Sequence, residues 1–205
     1  MLSVQTITPN TLELLTCLAQ QPELMAMRLV GGTALALQYG HRVSVDLDFF
    51  SDQPVELDNL VVLAKRIGDY KITNKTNHIL QLTIKQVKVD FVDYSCYPWI
   101  DKPVVEEGVV LASDKDIAAM KVNAIINRGT KKDFVDLFVL LQHYSLSQIM
   151  DFYRCKYPDF SDYRALMSLT YFDDAETMDM PQMRIPNTWD EMKKTIASAV
   201  KEYQS

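Results

Sequence analysis

The periodicity of apolar residues changes once along this chain, near Ser113, and that change limits the folds open to it. Before it, Ile79 to Ile84 and Val87 to Tyr94 alternate apolar with polar residues. Only Lys85-Gln86 separates the two runs, which is the pattern of a β-hairpin. After it, apolar residues recur at helical spacing, predicting helices over 114–127, 132–143, 146–157, 161–171 and 189–203. Ser113 with Asp116 marks the start of the first, and Thr188 with Glu191 supplies a capping box for the last. The acidic stretch Phe172 to Asp179 reads as a loop. The 205 residues are therefore expected to form an α+β protein, with a mixed α/β half at about 1–112 and a helical lobe at 113–205.

Within the first half, Asn10 and Glu13 read as a capping pair for a helix reaching about Gln20. Met27 to Val30 is a short apolar strand that runs into Gly31-Gly32-Thr33 and then a helix, Ala34 to Tyr39. Ser44 to Phe50 reads as the next strand, Leu57 to Ile67 as a helix, and Val104 to Leu111 as a further β segment.

Chemistry concentrates around Ser44-Val-Asp46-Leu-Asp48-Phe-Phe. On a strand, side chains alternate faces, so Asp46 and Asp48 are expected to point the same way, with Ser44 beside them. Two ionised carboxylates on one face repel unless a cation joins them, and magnesium favours carboxylate oxygens together with phosphates and water. Alone, the pair reads more readily as the polar face of an amphipathic strand. Gly31-Gly32-Thr33 adds a turn where backbone approaches closely and a helix N-terminus that suits an anion, although it also fits an ordinary tight turn. Asp90 lies in the apolar run Val87 to Tyr94 and is suited to complete a metal cage or to accept a proton. It shares its face with Lys88 and Val92, so a solvated face is the competing reading; Asp93 points the other way. Arg42 is placed either to neutralise phosphate charge or simply on the surface.

The helical half carries a second cluster. Lys121 lies on the face of Ile117, Ala118, Ala124 and Ile125, where a lysine either snorkels outward or is held inward by an anion. Asp133 and Asp136 are three residues apart on one helix. Asp133 fits the helix dipole, whereas Asp136, among Val135, Leu137, Val139 and Leu140, requires a cationic partner such as Lys121 or Arg128.

In order, Gly31-Gly32-Thr33, His41-Arg42-x-Ser44-x-Asp46-x-Asp48-Phe-Phe, Asp90, Met120-Lys121 and Arg128-x-x-x-Lys132-Asp133-x-x-Asp136-Leu resemble the AbiEii/AbiGii toxin nucleotidyltransferases of the polymerase-beta-like nucleotidyltransferase superfamily. The motifs span about residues 29–142. The resemblance implies that superfamily's mixed sheet with flanking helices, followed by a helical C-terminal lobe. It implies a bacterial toxin, of a toxin–antitoxin or phage-defence system, that moves a nucleoside monophosphate from an NTP to an acceptor hydroxyl, with the 3′ end of tRNA as acceptor and a cognate antitoxin as partner. By carry-over Asp46, Asp48 and Asp90 hold Mg2+, with Mn2+ as an alternative, and Lys121 contacts the phosphates. Gly31, Gly32, Thr33, Arg42 and Ser44 line the nucleotide, as do Lys132, Asp133 and Asp136.

A net charge of −6 excludes a general polyanion binder, so an RNA partner requires a local basic surface such as Arg128, Lys131 and Lys132. Three scattered cysteines, Cys17, Cys96 and Cys155, suggest buried thiols in a reducing, cytoplasmic setting. No apolar run is long enough to span a bilayer, and no signal-peptide pattern opens the chain. Two rival functions share this fold: a catalytically silent interaction protein, and an enzyme that attaches nucleotides to proteins.

Overall fold

The computed structural model describes residues 1–205, which cluster into two compact units, Met1–Ala112 and Ser113–Ser205. In the first unit a helix, α1 (Pro9–Ala19), is capped not by Asn10 but by Thr8, whose hydroxyl accepts from the Thr11 amide while Pro9 takes the first helical position. There follow β1 (Arg28–Val30), α2 (Gly31–Tyr39), β2 (Leu47–Ser51), α3 (Leu57–Ile67), β3 (Tyr70–Lys75), β4 (Ile79–Ile84), β5 (Val87–Asp93), β6 (Val104–Glu106) and β7 (Val109–Leu111). The strands form one mixed seven-stranded sheet in the order β3-β4-β5-β2-β1-β7-β6. The neighbours β5/β2 and β1/β7 are parallel, and the remaining pairs are antiparallel.

The β4–β5 hairpin turns at Lys85 and Gln86, both with positive φ, as a tight hairpin requires. Two expectations change. The segment Val104 to Leu111 is a hairpin of two short strands, because Glu107 and Gly108 adopt positive φ and fold it back on itself. Strand β2 begins at Leu47, so Asp46 lies just before it, and Ser44 makes only an isolated bridge to Ile7.

Alternation along β2 and β5 separates core from site. Leu47, Phe49, Val89 and Phe91 are buried, and the Phe49 and Phe91 rings stack with centroids 5.8 Å apart. Asp48 and Asp90, on the intervening positions, face the other way. Helix α3 buries Leu57, Leu60, Leu63 and Ala64 along one stripe and carries Lys65 and Arg66 in its last turn, where the helix dipole favours them.

The second unit is helical: α4 (Asp114–Asn127), α5 (Lys131–Leu140), α6 (Leu146–Lys156), α7 (Asp162–Leu169), α8 (Asp173–Glu176) and α9 (Trp189–Tyr203). Ser113 caps α4 through the Asp116 amide, and Thr188 with Glu191 closes a capping box on α9. The acidic stretch is not wholly loop, since Asp173–Glu176 makes one helical turn beneath which Phe172 packs on Phe134 and Trp189. Within this unit Lys156 and Asp116 form a fully buried ion pair 2.8 Å apart.

The cysteines depart from expectation: Cys96 and Cys155 are exposed and Cys17 is half-buried. Cys155 lies on α6 opposite its buried residues Ile149, Met150 and Tyr153, and Cys96 lies in the turn after β5. No helix is long and apolar enough to cross a membrane.

Candidate active site

The site in the first unit is built where β1 passes straight into α2. Gly31 opens the helix with φ of 70°, and the position a Cβ would occupy lies 2.5 Å from Asp48 Oδ2. Only a residue without a side chain permits that approach. Asp48 therefore rests against the N-terminus of α2, where the helix dipole favours negative charge.

Opposite Asp48 on the parallel neighbour stands Asp90, and on the antiparallel neighbour of β5 stands Gln81. Strand spacing sets Asp48 and Asp90 roughly 5 Å apart at the backbone, on the same face. Gln81 Nε2 donates to Asp90 Oδ2 at 2.7 Å, and Lys88 Nζ lies 3.2 Å from the same oxygen. Asp90 Oδ1 is buried with no hydrogen-bond partner. Burial lowers the proton affinity of Lys88, but the charges of Asp90, then Asp46 and Asp48, outweigh it, so the ammonium is held more firmly than usual.

Asp46 is positioned through its backbone. Thr33 Oγ1 bridges Ser44 Oγ, 2.9 Å away, and the carbonyl of Asp46. Thr33 and Ser44 are buried, and the Ser44 amide donates to the Thr6 carbonyl at 2.8 Å. Arg42 is also buried, not on the surface, and its Nη1 donates to the Val43 carbonyl at 3.0 Å. The structure thus brings together Gly31, Thr33, Ser44, Asp46, Asp48 and Asp90. Lys88 and Gln81 join them: Lys88, expected on the face of Asp90 but as part of a solvated surface, pairs with it, and Gln81 arrives through the β4–β5 register, which the sequence alone does not supply.

In the second unit Lys121 is held inward. Its ammonium lies 2.5 Å from Asp136 and 3.1 Å from Asp133, with all three side chains almost fully buried. Arg128 clamps Asp133 with two hydrogen bonds of 2.8 and 2.9 Å, and Thr130 Oγ1 donates at 2.5 Å. Burial would raise the Asp133 pKa, yet the Arg128 hydrogen bonds and the Lys121 charge overturn that and hold it far below the usual carboxylate range. Arg128 keeps 56% of its side chain exposed, and Lys132 is exposed beside it.

No three acidic, cysteine or histidine side chains form a ready-made metal cage. The carboxylates nevertheless suit a hard divalent ion: two in register on one face, a third just before the strand, and a partnerless buried oxygen on Asp90.

The family model for the nucleotidyl transferase AbiEii toxin of a type IV toxin–antitoxin system matches residues 13–204. The chain belongs to the AbiEii family. It is accordingly a nucleotidyltransferase of the toxin class. A relative from Aquifex aeolicus, the uncharacterized protein aq_aa25, is 33% identical over 181 residues, covering 85% of this chain and 86% of that protein. Two solved structures share the AbiEii chain's fold. MenT4, a nucleotidyltransferase toxin from Mycobacterium tuberculosis, has a TM-score of 0.60 at 12% identity, covering 94% of this chain and 81% of that one. JHP933 from Helicobacter pylori has a TM-score of 0.57 at 20% identity, covering 96% and 92%.

Proposed function

We propose that this AbiEii protein transfers a nucleoside monophosphate from a magnesium-bound NTP to the 3′ hydroxyl of an RNA, with tRNA as the acceptor, and that Asp46, Asp48 and Asp90 form its metal and phosphate site. The observation that carries this reading is the register of Asp48 with Asp90 beside Gly31, where a buried carboxylate oxygen has no partner within the protein.

In the reaction the acceptor oxygen bonds to the α-phosphorus, the bond between the α-phosphorus and its bridging oxygen breaks, and pyrophosphate leaves. A bound magnesium ion supplies charge neutralisation for the triphosphate and a lowered pKa for the acceptor hydroxyl. The protein's own share is positioning. Gly31 and Gly32 let phosphate approach the N-terminus of α2. Thr33 and Ser44 hold the backbone of Asp46 in place, and Gln81 fixes Asp90 so that Oδ1 faces a cation or the acceptor's proton. Arg42 adds a buried positive charge to the same segment.

In the helical unit, Lys121 with Asp133 and Asp136 acts as a brace. Arg128, fixed yet exposed, and Lys132 offer positive charge to nucleotide phosphates or an RNA backbone. As a toxin, the enzyme would be restrained by an antitoxin and serve phage defence.

The test incubates the purified protein with each labelled NTP, Mg2+ or Mn2+, and either total RNA or cell extract. Label on tRNA, absent from Asp46→Ala and Asp48→Ala, supports the proposal. Label on protein assigns the acceptor elsewhere, and no metal-dependent label in any arm overturns the metal site.

A further inference from the structure

We propose that Lys88 is a built-in counter-ion for the acidic site: its ammonium pairs with Asp90, beside Asp48, in the metal-free protein and is displaced when a divalent cation binds. The inference rests on the proposed metal site and adds a device that regulates its occupancy.

Two carboxylates in register on adjacent strands cannot both stay ionised at low cost without a nearby positive charge. Lys88 adds positive charge from two residues before Asp90, on the same face, with Nζ 3.2 Å from Asp90 Oδ2. Asp48 stands in register with Asp90 on the neighbouring strand, so the ammonium lies beside the pair that a cation would join.

Burial separates this lysine from the two other lysines that pair with buried aspartates. The Lys121 and Lys156 side chains are 4% and 0% exposed, enclosed with their carboxylates as permanent braces. The Lys88 side chain is 48% exposed. A long, half-solvated side chain can withdraw its ammonium into water at little cost, whereas an enclosed one cannot. When Lys88 leaves, Gln81 still holds Asp90 Oδ2 at 2.7 Å, so the carboxylate keeps its orientation. The ammonium and the cation therefore compete for the same carboxylate: Lys88 holds Oδ2, a cation would take the partnerless Oδ1, and repulsion between the two positive charges drives the ammonium into water.

The experiment measures Mn2+ affinity of the nucleotide-free, full-length protein by electron paramagnetic resonance of free Mn2+, alongside thermal melts with and without Mn2+. Lys88→Met is expected to bind Mn2+ about three- to tenfold more tightly than wild type, the size of effect that one half-solvated charge exerts at this range. Its metal-free melting temperature falls, and Mn2+ raises it by more than in wild type. Lys88→Arg, which keeps the charge, and Lys71→Met, an exposed lysine on β3, behave as wild type. Lys88→Gln serves if the Met variant folds poorly. If wild type binds Mn2+, Asp48→Asn does not, and both uncharged Lys88 variants bind no more tightly than wild type, the counter-ion is overturned while the metal site stands. If wild type binds no Mn2+, the metal site and the counter-ion fall together.

Discussion

Gly31 and Asp48 are packed so closely that the space a Cβ would need at Gly31 is already taken by the aspartate's carboxylate, 2.5 Å away. The glycine that opens α2 and the acid on β2 are parts of one device, joined by the antiparallel register of Val30 with Asp48.

Gly31→Ala tests that device against backbone strain alone. Gly31 and Gly108 both have positive φ, 70° and 79°, but nothing lies within 4 Å of a Cβ at Gly108. Both alanine variants should lose about 1–3 kcal/mol of stability in urea unfolding. Only Gly31→Ala should also lose nucleotidyl transfer, by roughly a hundredfold, because it displaces Asp48. Equal activity in the two variants would show the contact to be irrelevant to catalysis.

Thr33→Val should separate positioning from substrate contact. The hydroxyl is spent on Ser44 and the Asp46 carbonyl, so its loss leaves buried polar atoms short of partners at about 1–3 kcal/mol. Kinetics should show kcat falling while KM for NTP stays within about twofold, since Asp46 loosens while the proposed phosphate cradle remains. A rise in KM with kcat unchanged would instead mark Thr33 as a direct phosphate ligand.

Much of this was legible beforehand. Strict alternation in β4 and β5 revealed the hairpin, and the capping residues Ser113 and Thr188 fixed where two helices start. Strand β3 leaves no signal in the sequence because all six of its residues are exposed, so no burial pattern is imprinted on Tyr70–Lys75. The sequence places Asp46 within the strand because period-two spacing looks the same one residue before a ladder begins as within it. The pairing of Asp48 with Asp90 joins residues 42 positions apart, and only the fold supplies such a register. Lys121 left two outcomes open at the level of spacing, and packing decided it by enclosing both aspartates with it.

Lys121→Met should be the costliest change in the helical unit. It removes the ammonium that pairs with Asp136, and weakens the hold on Asp133, at a fully buried site, an imbalance that costs about 3–5 kcal/mol. Guanidinium unfolding at neutral pH checks this. The triple variant Lys121→Met, Asp133→Asn, Asp136→Leu should recover part of the loss.

Asp133 makes the protein acid-sensitive in a defined direction. The folded state keeps this carboxylate ionised to lower pH than the unfolded chain, so its contribution is complete above the ordinary value of 3.8 and is lost as pH falls below it. Unfolding free energy measured from pH 7 to 2 should therefore decline below about pH 4 in wild type. Asp133→Asn should be less stable at pH 7 and lose less on acidification. Parallel pH curves for the two would contradict the assignment.

The most direct test of the catalytic site is one isosteric change. Asp48→Asn removes a negative charge and leaves the shape against Gly31 intact, so circular dichroism and the melting profile should stay close to wild type. Metal-dependent transfer of labelled nucleotide, measured with saturating NTP, Mg2+ and RNA, should fall below detection. A correctly folded Asp48→Asn protein that labels at the wild-type rate would contradict the account.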